Sequence, residues 1–226
     1  MKYSLKRALP AAIALSLGMT ALPAAAYEAG DWVVRARVIS VSPDEDSSAI
    51  SASAVPGAVA GSGVSVDNDV VPELDFTYML DPHWGLELIL ATSSHDADAN
   101  GTLTALGNIA DAKVLPPTLT LQYHFLPKSN IRPYAGVGIN YTYFYDESVE
   151  DVLDAPGASV DFDDSWGLAA QVGVDVDINK DWFVNFDVKY IDISTEATFK
   201  NTTLGTVTAD VDIDPWVFGI GIGTTF

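Results

Sequence analysis

The chain has 226 residues, 48% of them hydrophobic, no cysteine, and a formal charge of -20 from 11 basic and 31 acidic side chains. That length fits one folded domain or at most two, and the absence of cysteine excludes a disulfide scaffold, thiolate metal sites and a cysteine nucleophile. So acidic a chain repels phosphate backbones, which removes nucleic acid as a partner, while its apolar fraction is too high for a disordered acidic protein.

Lys2, Lys6 and Arg7 precede a mainly apolar run from Ala8 to Leu22, and Ala24, Ala25 and Ala26 supply small residues before Tyr27. This is the pattern of a secretory signal peptide, residues 1–26, cleaved before Tyr27; the run is short for a retained anchor, which requires about 20 apolar residues. Cleavage removes three basic residues and no acidic one, so the mature domain, 27–226, carries a charge of -23. Beyond residue 26 no apolar run reaches the ~18 residues of a transmembrane helix. The exported chain is then either soluble or crosses a membrane as a closed barrel.

Eight segments alternate apolar and polar residues with the two-residue period of a strand that has one greasy face. In 32–41, Trp32, Val34, Ala36 and Val38 oppose Val33, Arg35, Arg37 and Ile39. Segment 70–80 sets Leu74, Phe76 and Tyr78 against Glu73, Asp75 and Thr77, and 84–92 sets Trp84, Leu86, Leu88 and Leu90 against Gly85, Glu87 and Ile89. In 117–125, Leu119, Leu121, Tyr123 and Phe125 oppose Thr118, Thr120, Gln122 and His124. Segment 131–145 places Ala135, Val137, Ile139, Tyr141 and Tyr143 opposite Tyr134, Gly136, Gly138, Asn140 and Thr142. In 165–178 the apolar face runs from Trp166 through Leu168 to Val176, against Gly167, Ala169, Gln171, Gly173 and Asp175. Segment 182–193 pairs Trp182, Val184, Phe186, Val188 and Tyr190 with Phe183, Asn185, Asp187 and Lys189; in 214–226, Trp216, Phe218, Ile220, Ile222 and Phe226 oppose Gly219, Gly221 and Gly223. Each is at least about the 9 to 11 residues that a tilted membrane strand needs.

The connections alternate in length. Short turns at 81–83, 126–130 and 179–181 share one rim with both termini; long connections at 42–69, 93–116, 146–164 and 194–213 share the other. This predicts an all-β, eight-stranded antiparallel transmembrane barrel in a Gram-negative outer membrane, with short periplasmic turns and four long extracellular loops. The tryptophans fall on the apolar face at two heights: Trp32, Trp84 and Trp182 near the periplasmic rim, Trp166 and Trp216 near the outer one. Two aromatic girdles around an aliphatic belt suit a lipid-facing surface, which a soluble sandwich does not explain. Phe226 closes the last apolar strand and resembles the terminal signal recognised by the bacterial barrel-assembly machinery.

Eight strands enclose a lumen just wide enough for side chains or one slim ligand. Near the periplasmic rim the inward residues are Arg35, Arg37, Glu73, Asp75, Glu87, Gln122, His124, Arg132, Asp175 and Asp187, with Lys189 an alternative member. Opposed charges at similar depth pair, which predicts a polar floor. Higher up the inward set becomes Ile39, Ile89, Ala91, Thr118, Thr142, Phe144, Gly167, Ala169 and Ile191, a mainly apolar funnel, so a hydrophobic solute entering from outside meets a closed floor and leaves sideways. Pro116 and Pro117 donate no N–H and interrupt a ladder, which makes them the candidate lateral gate; strand-end prolines also serve as simple terminators.

Tyr-Glu-Ala-Gly-Asp-Trp from Tyr27, Leu-Pro-Pro-Thr-Leu from Leu115, Arg-Pro-Tyr-Ala-Gly-Val-Gly-Ile-Asn-Tyr-Thr from Arg132, Asp-Ser-Trp-Gly-Leu-Ala from Asp164, Asp192-Ile193 and Asp-Pro-Trp-Val-Phe from Asp214 together resemble the OmpW family. The resemblance spans essentially the whole mature chain and is weaker over about 43–69 and 93–114. It implies an eight-stranded outer-membrane barrel with a narrow hydrophobic channel, used for uptake of small hydrophobic molecules with lateral release into the outer leaflet; alkane-uptake proteins belong to the same family. Ile89 matches the family's channel lining, and Pro116 and Pro117 its strand interruption. Where many relatives have Val-Trp-Tyr, this chain has Val188-Lys189-Tyr190, so an inward Lys189 joins the channel lining and makes the constriction more polar.

His83 and His95 lie in a turn and a loop, and His124 reads as a satisfied structural histidine, so no nucleophile with a positioned base is expected and the protein is not read as an enzyme. The glycines at 136, 138 and 219–223 precede no helix and form no nucleotide loop. The acidic clusters at 44–46, 95–98 and 161–164 follow no ordered cation-ligand spacing and read as solvated loops, so neither metal nor cofactor is expected. Expected partners are outer-membrane lipids, lipopolysaccharide and small hydrophobic solutes. The alternative function is a non-transporting surface barrel whose acidic loops bind lipopolysaccharide, host factors or phage.

Overall fold

The structure is a computed structural model that describes residues 26–150, 156–202 and 204–226, with 55–58 as backbone alone. Apart from Ala26, the signal segment expected at 1–26 lies outside the described residues.

Eight antiparallel strands close on themselves: β1 (Trp32–Ser42), β2 (Asp69–Met79), β3 (Trp84–Ala91), β4 (Thr118–His124), β5 (Ile131–Val149), β6 (Ser165–Asp177), β7 (Phe183–Ile191) and β8 (Trp216–Thr225). The order is β4-β3-β2-β1-β8-β7-β6-β5, with a β4–β5 ladder completing the ring. β1 meets β8 from Val33 opposite Thr225 to Ser42 opposite Trp216. Closure pairs the backbone groups that open sheet edges would otherwise present to lipid.

The alternation that forms these strands also sorts their side chains. Arg35, Arg37 and Ile39 of β1 point inward and are buried, while Trp32 and Val38 point outward and are exposed. All five tryptophans are outward, each between 41% and 72% exposed, which only a non-aqueous surrounding accommodates at such density. Near the periplasmic rim, Trp32 packs on Tyr78 and Trp84 on Tyr123; near the outer rim, Tyr141 packs on Trp166 and Tyr190 on Trp216. The rings are therefore cross-strand clusters as well as interface anchors.

The four long connections are not open loops. Ser62–Val66, Ser93–Gly101 and Asn108–Leu115 build a sheet onto the outer half of β5, with Leu115 opposite Tyr143. Ser159–Phe162, Ser194–Thr202 and Gly205–Asp212, with short strands in 46–58, form a second sheet. The inward faces of the two sheets bury Ile50, Val64, Ile109, Val160, Phe199 and Val207. These strands escape a reading tuned to aromatic and aliphatic runs because many of their inward positions are small: Ala97, Ala99, Ala110 and Ala112 are interleaved with Asp, Asn and Lys, and that gives a weak amphipathic signal.

At the opposite end, Tyr27 reaches under the lumen and packs with Val33, Met79 and Phe183. Its hydroxyl donates to Asp175 Oδ2 at 2.6 Å, and its N–H donates to the Pro127 carbonyl.

Candidate functional site

The lower lumen is filled by one connected polar network. Arg35 holds Asp175 with two parallel bonds, Nε to Oδ1 at 3.2 Å and Nη2 to Oδ2 at 2.8 Å, and turns Nη1 to Thr77 and Glu87. Arg37 reaches Glu73 at 2.9 Å, Asp75 at 2.6 Å and Asp187 at 3.3 Å. Lys189 Nζ lies 2.8 Å from both Glu73 and Asp187. Buried carboxylates outnumber these three cations, so neutral donors serve the remainder: Gln122 and Gln171 each donate to Glu87 Oε2 at 2.7 Å, and Tyr134 donates to Asp187 at 2.8 Å. A charge removed from water is stable only when its lone pairs are met, and donors from β1, β4, β5, β6 and β7 meet most of them; Asp75 Oδ1 is buried without a hydrogen-bond partner among the described residues.

Arg132 lies lower, bonded to Asp177 and placed 4.6 Å over the Tyr27 ring. His124 faces the floor as expected but is not satisfied by hydrogen bonds: among the described residues neither ring nitrogen has a partner, and Tyr27 packs edge-on against the ring at 5.1 Å. An imidazole wedged among aromatic rings is held by packing where polar neighbours are already committed to one another. The network brings together Arg35, Arg37, Glu73, Asp75, Glu87, Asp175 and Asp187.

Above the floor opens a cavity of about 80 Å³ whose walls are almost entirely apolar. Ile39, Ile89, Phe144 and Ile191 all line it, and its upper wall continues into the extracellular sheets through Val64, Ile109 and Phe199. Lys189, assigned to the lining from the sequence, is not in the wall. Asp187 lies two residues before it on the same inward face and Glu73 lies across the lumen, so the ammonium is drawn down into the floor. Tyr27, Tyr134, Gln171 and Asn185 had no assigned role. The last three were legible as inward by alternation, whereas Tyr27 precedes the first strand and carries no periodic signal.

Beside the cavity the β3–β4 ladder is interrupted. Its last pair is Ile89 with Thr118, and pairing resumes only at Ser93 with Val114 in the extracellular hairpin. Between them Leu90, Ala91 and Thr92 face Leu115, Pro116 and Pro117. On its other side this stretch stays fixed to β5: the Tyr141 N–H donates to the Pro117 carbonyl at 3.1 Å, and Thr118 Oγ1 and Asn140 Nδ2 both donate to the Pro116 carbonyl. The stretch is thus open toward β3, where Pro116 lacks the N–H that would face Ala91, while Pro117 turns its backbone toward β5 and stays tied there through its carbonyl. Ala91 and Pro116 line the cavity, so the interruption is continuous with it.

Among the described residues no three His, Asp or Glu side chains gather at a distance that would hold a metal ion.

A closed eight-stranded barrel with an outward apolar belt, two aromatic rings and a plugged lumen is an outer-membrane protein of Gram-negative type. The sequence profile of the OmpW family matches residues 28–226. Outer membrane protein W of Escherichia coli is 41% identical over 89% of this chain and 91% of its own. The dibenzothiophene metabolism operon protein PahQ of Pseudomonas aeruginosa is 31% identical over 88% of this chain and 90% of its own. The crystal structure of the outer membrane protein OprG from Pseudomonas aeruginosa superposes with a TM-score of 0.83 at 38% identity, covering 90% of this chain and 99% of OprG. The chain belongs to the OmpW family.

Proposed function

We propose that this protein is a passive conduit for small hydrophobic molecules, which enter from outside, reach the apolar cavity and leave sideways through the interrupted β3–β4 ladder into the outer leaflet. Ile39, Ile89, Phe144 and Ile191 form the lining in this reading, Pro116 and Pro117 the lateral gate, and the charged network the floor that blocks the straight path. The observation that carries it is the conjunction of three adjoining features: an apolar cavity, a closed polar floor beneath it, and a β3–β4 ladder left open beside it at Pro116-Pro117. A relative named for a dibenzothiophene metabolism operon agrees with a hydrophobic, aromatic cargo.

The reading is tested by uptake of short alkanes, small aromatics and small polar solutes into porin-competent cells with and without the barrel. Faster entry confined to the hydrophobic solutes, and lowered by Pro116→Ala/Pro117→Ala, is the expected result. Entry unchanged across the panel, with the barrel folded by its heat-shifted gel mobility, sinks it.

A further inference from the structure

Of the residues that line the cavity from the barrel strands, Glu73 alone is charged. It sits at the level of the interrupted ladder, opposite Ala91 across the β2–β3 pair, and Ala91 is one of the residues left unpaired toward β4. Its carboxylate is fixed from below. Lys189 Nζ and Arg37 Nε both reach Oε1, at 2.8 and 2.9 Å, and Oε2 takes part in neither contact. Thr118, the other polar barrel residue in the wall, has its hydroxyl committed to the Pro116 carbonyl at 3.0 Å. Higher up, Ser93 and His95 are bonded to each other at 2.9 Å, and Asp96 belongs to the extracellular hairpin. A solute turning from the cavity into the opening therefore passes one oriented anionic acceptor.

We infer that Glu73 selects, among hydrophobic solutes, those that carry a hydrogen-bond donor, favouring phenols and alcohols over hydrocarbons of the same skeleton. The inference rests on the conduit reading and refines its cargo. A carboxylate at the bottom of an apolar cavity is stable only while its lone pairs are met. A methyl group or ring edge over Oε2 strips water from it and returns nothing, whereas a hydroxyl replaces the bond that was lost. Sites built around a hydrogen bond reject analogues lacking the group far more strongly than apolar pockets reject by size. The pinning of Oε1 by two cations keeps the acceptor in place, so a passing hydroxyl orders itself and not the protein.

The test is uptake of toluene, p-cresol and 4-methylanisole into cells carrying the wild-type barrel, Glu73→Gln, or Glu73→Leu/Lys189→Met, with folding of each checked by heat-shifted gel mobility. The ether keeps an oxygen but has no hydrogen to donate. The wild type is expected to favour p-cresol over toluene by roughly tenfold more than the double variant does, the size of one bond to a charged acceptor. 4-Methylanisole is expected to follow toluene, and Glu73→Gln to fall between. Barrel-dependent uptake whose p-cresol to toluene ratio is the same in wild type and double variant overturns this inference and leaves the conduit standing, as does 4-methylanisole entering as fast as p-cresol. Uptake of all three independent of the barrel overturns the conduit as well. If the double variant does not fold, the wild-type barrel in phospholipid nanodiscs decides: p-cresol, but not 4-methylanisole, shifts the NMR resonance of the Glu73 carboxyl carbon, and equal or absent shifts count against the inference.

Discussion

Replacing Arg35 by Met removes the guanidinium at the centre of the floor while keeping an unbranched apolar stem in the lumen. Both carboxylates it serves directly, Asp175 and Glu87, are fully buried. Asp175 keeps the Tyr27 hydroxyl and Asn185 Nδ2, and Glu87 keeps Thr120, Gln122 and Gln171, so neither loses every donor. What is lost is the compensating charge, and breaking a buried pair from one side costs about 3–5 kcal/mol. The measurement is urea unfolding of the barrel in phosphatidylcholine vesicles, followed by tryptophan fluorescence. Because the pair is sealed from solvent, the loss is expected to be the same at low and high salt, unlike that of a surface pair. Asp175→Asn in the same background is expected to cost less than it does alone, a coupling of about 0.5–3 kcal/mol. If Arg35→Met unfolds within about 1 kcal/mol of wild type, the floor is not held by charge compensation and the account given for it fails.

Val137 lies mid-belt and is 66% exposed, so Val137→Arg should destabilise the barrel in bilayers by about 2–4 kcal/mol, while Ile131→Arg near the rim costs about 0–1 kcal/mol; equal costs would mean the belt is misplaced. A Cβ on Gly173 would lie 2.3 Å from the Tyr134 ring, so Gly173→Ala displaces that tyrosine from Asp187 and is expected to cost about 1–3 kcal/mol, read from the same titration. Phe199 is buried between the extracellular sheets, and Phe199→Ala should loosen them by about 3–5 kcal/mol. Amide hydrogen exchange checks this: faster exchange in Ser194–Thr202 and Gly205–Asp212 with unchanged barrel strands is the expected pattern, and uniform acceleration would contradict an extension with its own core.

Which side chains point inward was legible in the sequence, because a two-residue period leaves only one alternative and the lipid face excludes it. Arg35, Arg37, Glu73 and Asp75 follow from that alone. Which of them meet was not legible. Arg35 and Asp175 are 140 residues apart, and their contact depends on strand tilt around the whole ring. Lys189 shows the same limit: alternation placed it inward, but its height was set by a flexible stem and by the two carboxylates that attract it. The prolines at 116 and 117 marked an interruption, yet only the Tyr141–Pro117 bond and the early return of pairing at Leu115 with Tyr143 reveal that it opens toward β3 and not toward β5. The extracellular sheets carried a fainter version of the barrel's own signal, with alanine in place of leucine.

The pairing of β1 with β8 bears on how this molecule comes into being. Trp32 and Phe226 exchange backbone hydrogen bonds across the seam, so the first strand of the ring waits for the last before either has two neighbours. Until that meeting, both edges of the growing sheet present unpaired donors and acceptors, and the loop to be closed is nearly the whole domain. Contacts of such sequence separation form slowly. The seam between β1 and β8 is thus where completion of the ring is timed, and residues that strengthen it act on the rate of assembly as much as on the stability of the finished barrel.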